Sequence, residues 1–225
     1  MVKGKVYKVL MTLLGCVCAL AMLCAALFSL GVFDIQDRAE VIDEPDGFGS
    51  LFTGTLVGGV MNGHGEIVYE NGDKYTGYFV DGEYSGEGVF ISHAGWKYSG
   101  FFENGRPHGE GVFKAVKGGV FSGEFEDGRI TGQGVFTSPD GWIYDGAWDQ
   151  GRQVGQGTFT FSDGSVYTGG FLDGAASGTG IYTDISRWSY EGGFLQGLFE
   201  GEGTLTFANG EELTGEWSAG RLNAA

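Results

Sequence analysis

Residues 75–97 read Y-T-G-Y-F-V-D-G-E-Y-S-G-E-G-V-F-I-S-H-A-G-W-K. With Tyr75 as slot one, slots one, three and five hold Tyr75, Gly77 and Phe79. Slots twelve, fourteen and sixteen hold Gly86, Gly88 and Phe90. Both sets alternate with a period of two, the signature of a β-strand. Asp81-Gly82 between them is a tight-turn signal. The stretch therefore predicts one β-hairpin.

The same grammar runs outward in both directions with a 23-residue period. Slots one and three recur as Phe52-x-Gly54, Tyr98-x-Gly100, Phe121-x-Gly123, Tyr144-x-Gly146, Tyr167-x-Gly169 and Tyr190-x-Gly192, and Leu213-x-Gly215 opens an unfinished eighth copy. Asn71-Gly72, Asp140-Gly141, Asp163-Gly164 and Asn209-Gly210 mark a second turn between successive copies. Such dipeptides tolerate the positive φ that tight hairpins demand. A fixed period without insertions means a repeat architecture, in which each unit packs on its neighbours. The predicted fold is all-β: an elongated, single-layer antiparallel β-meander. At about 4.8 Å per strand, roughly 14 to 16 strands extend on the order of 70 Å, with the twist that strands impose.

Of the 45 glycines, 36 fall at slots three, eight, twelve, fourteen and twenty-one, Arg187 being the exception at slot twenty-one. The richness is positional, which excludes a low-complexity linker. Rings at slots one, five and sixteen share a face with bare backbone at slots three, twelve and fourteen. A ring is expected to lie over the glycine of an adjacent strand, where full burial is worth about 1.5–3 kcal/mol. The opposite face carries Thr, Ser, Glu and β-branched residues and is expected to be wet.

The pattern resembles the MORN ("membrane occupation and recognition nexus") repeat family. Tyr75-Thr-Gly77-Tyr-Phe79-Val-Asp-Gly82 with Gly86-Glu-Gly88, and Tyr144-Asp-Gly146-Ala-Trp148-Asp-Gln-Gly151 with Gly155-Gln-Gly157, match its aromatic-x-Gly-x-aromatic start, turn glycine and later Gly-x-Gly. The likeness covers residues 52–222, as seven full repeats and a partial eighth. It implies scaffolding, membrane apposition or partner binding. Leu213 and Arg187 depart from the pattern, as expected of a worn or capping C-terminal end.

Ahead of the repeats, residues 1–8 are basic, with Lys3, Lys5 and Lys8. Val9 to Phe33 is uncharged. A span of about 20 apolar residues crosses a bilayer core, so residues 9–33 read as a transmembrane signal-anchor helix. The lysine bias places the N-terminus in the cytoplasm and the repeats on the extracytoplasmic side. A cleaved signal peptide is the alternative; its apolar region is usually about 7–15 residues. Cys16, Cys18 and Cys24 all lie in this run. They leave the repeats without thiol chemistry. Residues 34–51 read as an acidic linker without sustained periodicity.

From Asp34 onward there are 10 basic and 29 acidic residues. Such a surface repels phosphate, which argues against nucleic acid and disfavours anionic lipid heads. It also keeps a long sheet soluble. His64, His93 and His108 lack metal-ligand spacing. No nucleophile elbow, HExxH motif or phosphate loop occurs. The seven Gly-x-Gly pairs of the repeats never extend to a dinucleotide fingerprint. No catalytic residue, metal or cofactor is therefore expected.

The copies alternate. Trp96, Trp142 and Trp188 hold slot twenty-two in even copies, whereas Tyr69, Phe161 and Phe207 hold slot eighteen in odd ones, Ala115 breaking the odd set. The tryptophans read either as hairpin packing or as a row that grips a partner. Trp96, Trp142 and Trp188, with Tyr84 and Phe199 as exposed aromatics in hairpin loops, are the candidate partner contacts. The expected function is a non-catalytic, membrane-anchored scaffold for a protein partner. The alternatives are self-association through an open sheet end, or a glycan- or lipid-binding module.

Overall fold

The structure is a computed structural model that describes residues 38–45 and 49–223. The signal-anchor reading of residues 9–33 lies outside the described residues. Among the described residues no helix is long and apolar enough to cross a membrane.

Among the described residues seventeen strands form one antiparallel sheet in chain order. β1 is Arg38–Pro45. The hairpins that follow are β2–β3 (Leu51–Val57, Val60–Val68), β4–β5 (Lys74–Val80, Glu83–Ile91), β6–β7 (Lys97–Glu103, Arg106–Lys114) and β8–β9 (Val120–Glu126, Arg129–Thr137). Then come β10–β11 (Ile143–Asp149, Arg152–Thr160), β12–β13 (Val166–Leu172, Ala175–Thr183), β14–β15 (Ser189–Leu195, Leu198–Thr206) and the short β16–β17 (Glu212–Ser218, Arg221–Leu222). The predicted single-layer meander is what forms. One boundary moves: within the linker, Arg38–Pro45 is a strand paired antiparallel to β2, from Arg38 opposite Val57 to Pro45 opposite Leu51. The sheet edge recruits it because β2 otherwise presents a free row of backbone donors and acceptors.

Two turns build each unit. Within a copy, Asp81 and Gly82 both take positive φ, +49° and +85°, the pair of conformations that a two-residue hairpin turn requires. Between copies, Ser92 N–H donates to Trp96 O at 2.9 Å and Gly95 N–H to Ser92 O at 2.8 Å. The intervening loop is His93-Ala94-Gly95, with Gly95 at φ +93°.

Slot-twelve glycines have a different purpose from the one expected. In β4–β5, Gly77 faces Gly88, but the next residue, Tyr78, faces Ser85. Gly86 and Glu87 form a bulge that β4 does not match, which is why β4 has seven residues and β5 nine. Gly86 stands at φ +62°, and the atoms nearest its missing Cβ are those of Tyr78, 3.8 Å and farther. Here glycine is required by the backbone, and the slot-one ring does not cover it. A bulge recurring in every full hairpin bends the strands and increases their twist.

The core is one row of rings. Phe52, Tyr75, Tyr98, Phe121, Tyr144, Tyr167 and Tyr190 at slot one are buried, as are the slot-five rings Phe79, Phe102, Phe125, Trp148, Phe171, Phe194 and Trp217. A Cβ on Gly88 would lie 2.6 Å from Tyr75 Cε2, and one on Gly77 would lie 2.7 Å from Tyr75 Cζ. Slots three and fourteen must therefore be bare, because the slot-one ring roofs both strands. That ring meets slot-five rings edge-on along the row: Tyr75 with Phe79 and with Phe102, both at 5.1 Å. The tyrosine hydroxyl donates to the slot-four carbonyl beside the bulge: Tyr75 to Tyr78 O at 3.0 Å, Tyr98 to Phe101 O at 3.0 Å, Tyr144 to Ala147 O at 3.0 Å. Burial pushes these phenols up to about 12.

Candidate partner-binding face

The tryptophan row lies on the ring face, at the edge formed by the inter-copy turns, and its members are half-buried. Trp96 stacks on Phe90 at 5.1 Å and leans on Phe113 at 5.8 Å. Trp142 sits between Phe136 and Phe159 at 5.0 and 5.1 Å. Trp188 meets Tyr182 at 5.1 Å and Phe199 at 6.5 Å. Each tryptophan thus wedges between aromatic rings of its own copy and the next. In odd copies other than copy three, which has Ala115 and Gly119 at these slots, the cap comes from the other leg: Phe161 packs on Phe159 at 4.7 Å and Tyr182 at 5.8 Å. Slots eighteen and twenty-two are bonded partners across the turn, so one ring serves either way.

Tyr84 and Phe199 are not the exposed loop aromatics expected. Both lie in strands, β5 and β15, and both are half-buried against the core. The two-residue turn is so tight that slot ten already faces slot five, Tyr84 opposite Phe79 and Phe199 opposite Phe194. Tyr84 therefore stacks on Tyr75 at 3.8 Å with 13° between planes, and Phe199 on Tyr190 at 3.7 Å and 8°. Phe79 and Phe102 wall Tyr84 edge-on, both at 5.7 Å. The Tyr84 and Tyr69 hydroxyls share a hydrogen bond.

This arrangement defines a box: a slot-one ring as floor, two slot-five rings as walls, and slot ten as occupant. In copy six the floor is Tyr167, and the walls are Phe171 at 5.2 Å and Phe194 at 4.7 Å. The occupant is only Ala176. The result is an apolar groove of about 440 Å³ that also reaches Tyr182, Trp188 and Phe199. Sequence reasoning missed it. The available signal was Ala176 in a slot that otherwise carries Met61, Tyr84, Pro107, Ile130, Gln153, Phe199 and, in the partial eighth copy, Leu222. Of the five residues first singled out, the structure brings Trp188 and Phe199 to one groove, while Trp96, Trp142 and Tyr84 belong to the packing of other copies.

The opposite face is more polar but not uniformly so. Tyr78 and Phe101 at slot four are 52% and 48% exposed. They flank a shallow depression that includes Glu87 and Glu110. Glu216 lies opposite Glu202, which raises the Glu216 carboxyl above its ordinary value.

The histidines are held as turn and surface groups. His93 Nδ1 lies 2.8 Å from Asp73 Oδ1 and His108 Nε2 lies 3.3 Å from Glu103 Oε2. The His93 N–H and its ring, with Asn71 and Ser92, hold the Asp73 carboxyl well below the usual range. Among the described residues no group of His, Cys, Asp and Glu could hold a metal ion.

A MORN repeat profile matches residues 52–74, 75–97, 98–120, 121–143, 144–166, 167–186 and 190–212. The chain belongs to the MORN-repeat family. The matched registers coincide with the hairpins described above; between residues 52 and 212 the match lapses at 187–189, where Arg187 replaces the turn glycine, and it does not extend to the partial eighth copy that begins at Leu213. No curated relative matches the chain. Among solved structures, the Drosophila melanogaster SAS-4 TCP domain in complex with a proline-rich motif of Ana2 is 13% identical, covering 68% of this chain and 83% of that one, with a TM-score of 0.43. The TCP10c domain of Drosophila melanogaster Sas-4 is 12% identical over 68% and 91% of the two chains, with a TM-score of 0.41. The G-box domain of the microcephaly protein CPAP is 14% identical over 69% and 87%, with a TM-score of 0.31.

Proposed function

We propose that the chain is a non-catalytic MORN scaffold that holds a protein partner on the ring face of its sheet. Residues 9–33 tether it to a membrane with the N-terminus cytoplasmic and the repeats on the other side. The observation that carries the reading is the ring face itself: a row of half-buried aromatics, backed by a rigid core, that opens into an apolar groove. Preformed apolar concavities of this size with few polar groups are the usual places where partners dock. Open sheets provide no enclosed chamber in which water is excluded from a reaction, which favours binding over catalysis.

Photo-crosslinking from native membranes, with the crosslinker placed at Trp188 or Phe199 in turn and at Thr158 on the opposite face, tests this. Adducts to a discrete protein from the ring-face positions alone support the scaffold. Adducts only from Thr158, or none, overturn it. Protease protection in sealed vesicles tests the orientation, since repeats on the far side survive until the membrane is opened. A second reading rests on the C-terminal edge, where among the described residues β17 pairs with Trp217 and Ser218 of β16 and with no other strand. Self-association there would appear as concentration-dependent sedimentation.

A further inference from the structure

We infer that the empty box of copy six is a receptor for one aromatic side chain on an extended, basic peptide segment. The inference rests on the scaffold reading and deepens it by naming the subsite and the chemistry of the guest. Copies two and seven show how the box is filled: a ring lies face to face on the slot-one tyrosine at 3.8 and 3.7 Å, between two edge-on rings. Copy six keeps the floor and both walls, Tyr167, Phe171 and Phe194, and omits the ring. The geometry therefore prescribes a planar guest, stacked on Tyr167, where the quadrupoles of the flanking edges favour it. A branched aliphatic side chain also fills this slot, as Ile130 does in copy four, but only a planar ring stacks face to face on the floor as in copies two and seven.

Charge selects the rest of the segment. Copies five to seven, residues 144–212, hold ten acidic residues, some of them, such as Glu202, on the opposite face, with two arginines and no lysine, whereas copies one to four, residues 52–143, hold twelve acidic and six basic residues. Arg152 is already paired with Asp173 at 2.9 Å. At the other end of the groove Asp184 lies 3.5 Å from the Tyr182 hydroxyl, and the Ser186 N–H holds its carboxyl below the ordinary range. Lysines or arginines on either side of the aromatic residue meet this field, which speeds their approach and disfavours acidic competitors.

The test uses the full chain in detergent micelles and three blocked pentapeptides, Lys-Lys-Phe-Lys-Lys, Lys-Lys-Ala-Lys-Lys and Glu-Glu-Phe-Glu-Glu, followed by fluorescence anisotropy. The first is expected to bind at least tenfold more tightly than either of the others. Ala176→Phe fills the box as copy seven does and is expected to remove at least nine-tenths of that affinity without lowering the melting temperature. Ile130→Phe, the same slot in copy four, leaves binding unchanged. Equal binding of the alanine peptide, equal binding of the acidic peptide, no binding of any peptide, or binding that survives Ala176→Phe overturns the inference. Each of these results leaves the scaffold standing if ring-face crosslinks to a discrete protein are obtained; loss of those crosslinks overturns the scaffold by itself.

Discussion

Copies two and six share the glycines of slots three, eight, twelve and fourteen and the slot-one tyrosine, yet one is closed and the other open. In copy two Tyr84 lies on Tyr75 and its hydroxyl is bonded to Tyr69. In copy six the smaller Ala176 leaves an apolar groove beside Tyr167, which stays buried at 3% exposure against 0% for Tyr75. The difference separates two tasks within one repeat. Slots one, three, five and fourteen make the sheet; slot ten finishes it or leaves it available. A repeat protein can thus acquire a site by deleting one ring, because the neighbouring copies hold the walls in place.

The sharpest way to break the comparison is to open copy two. Tyr84→Ala removes a stacked ring from a packed box and is expected to cost about 3 kcal/mol. It should also create a second groove over Tyr75. Urea denaturation of the variant checks the first point. A cost below about 1 kcal/mol would mean that slot ten never contributed to the core.

Glycine substitutions come next. A Cβ on Gly88 would lie 2.6 Å from Tyr75 Cε2, and a Cβ on Gly180 would lie 2.6 Å from Tyr167 Cε2. The clashes are alike but the escapes are not. Tyr75 is pinned from above by Tyr84, while Tyr167 can shift into the groove. Gly88→Ala is expected to cost about 2–3 kcal/mol, the upper part of the range for overpacking, and Gly180→Ala about 1 kcal/mol. Equal losses in denaturant midpoint would show that the open box is as rigid as the closed one.

Closing copy six is the converse. Ala176→Phe is expected to stabilise by about 1–2 kcal/mol, less than full burial of a ring because the groove stays partly open. A smaller gain of about 1 kcal/mol is expected from Arg187→Gly, since Arg187 holds φ +69° in copy six where Gly95 holds +93° in copy two; left-handed backbone penalises any residue with a Cβ. Thermal melts resolve both.

Much of this was legible in residues 75–97 before any coordinates. Period-two alternation, the Asp81-Gly82 turn and the placement of Gly77 and Gly88 under a ring are local consequences of sequence. The purpose of Gly86 was not, because a bulge is a register relation between two strands and neither strand announces it alone. Tyr84 was misplaced for a related reason: proximity to a turn dipeptide reads as a loop, whereas a two-residue turn puts slot ten straight into the ladder opposite Phe79. Arg38–Pro45 was read as a spacer since an edge strand paired on one side needs no hydrophobic alternation. The groove was hidden because it is an omission, visible only when Ala176 is compared with the same slot elsewhere.

The smallest effect tests whether the opening reaches the buried hydroxyl. Tyr75 and Tyr167 donate to equivalent carbonyls, Tyr78 O at 3.0 Å and Gly170 O at 2.9 Å. Burial pushes both phenols from near 10 to about 12. The folded state therefore favours the neutral phenol. That contribution to stability is fully present below about pH 10, declines as the unfolded chain ionises first, and is gone above about pH 12. At neutral pH, Tyr75→Phe or Tyr167→Phe loses one hydrogen bond and is expected to cost about 0.5–1 kcal/mol. Between pH 10 and 12 either variant should show a shallower loss of stability than the parent chain. If the groove admitted water to the Tyr167 hydroxyl, its phenol would ionise near 10 and Tyr167→Phe would leave the alkaline limb unchanged. Ultraviolet titration of the two variants decides this, and equal flattening would confine the difference between the copies to the outer face of the ring.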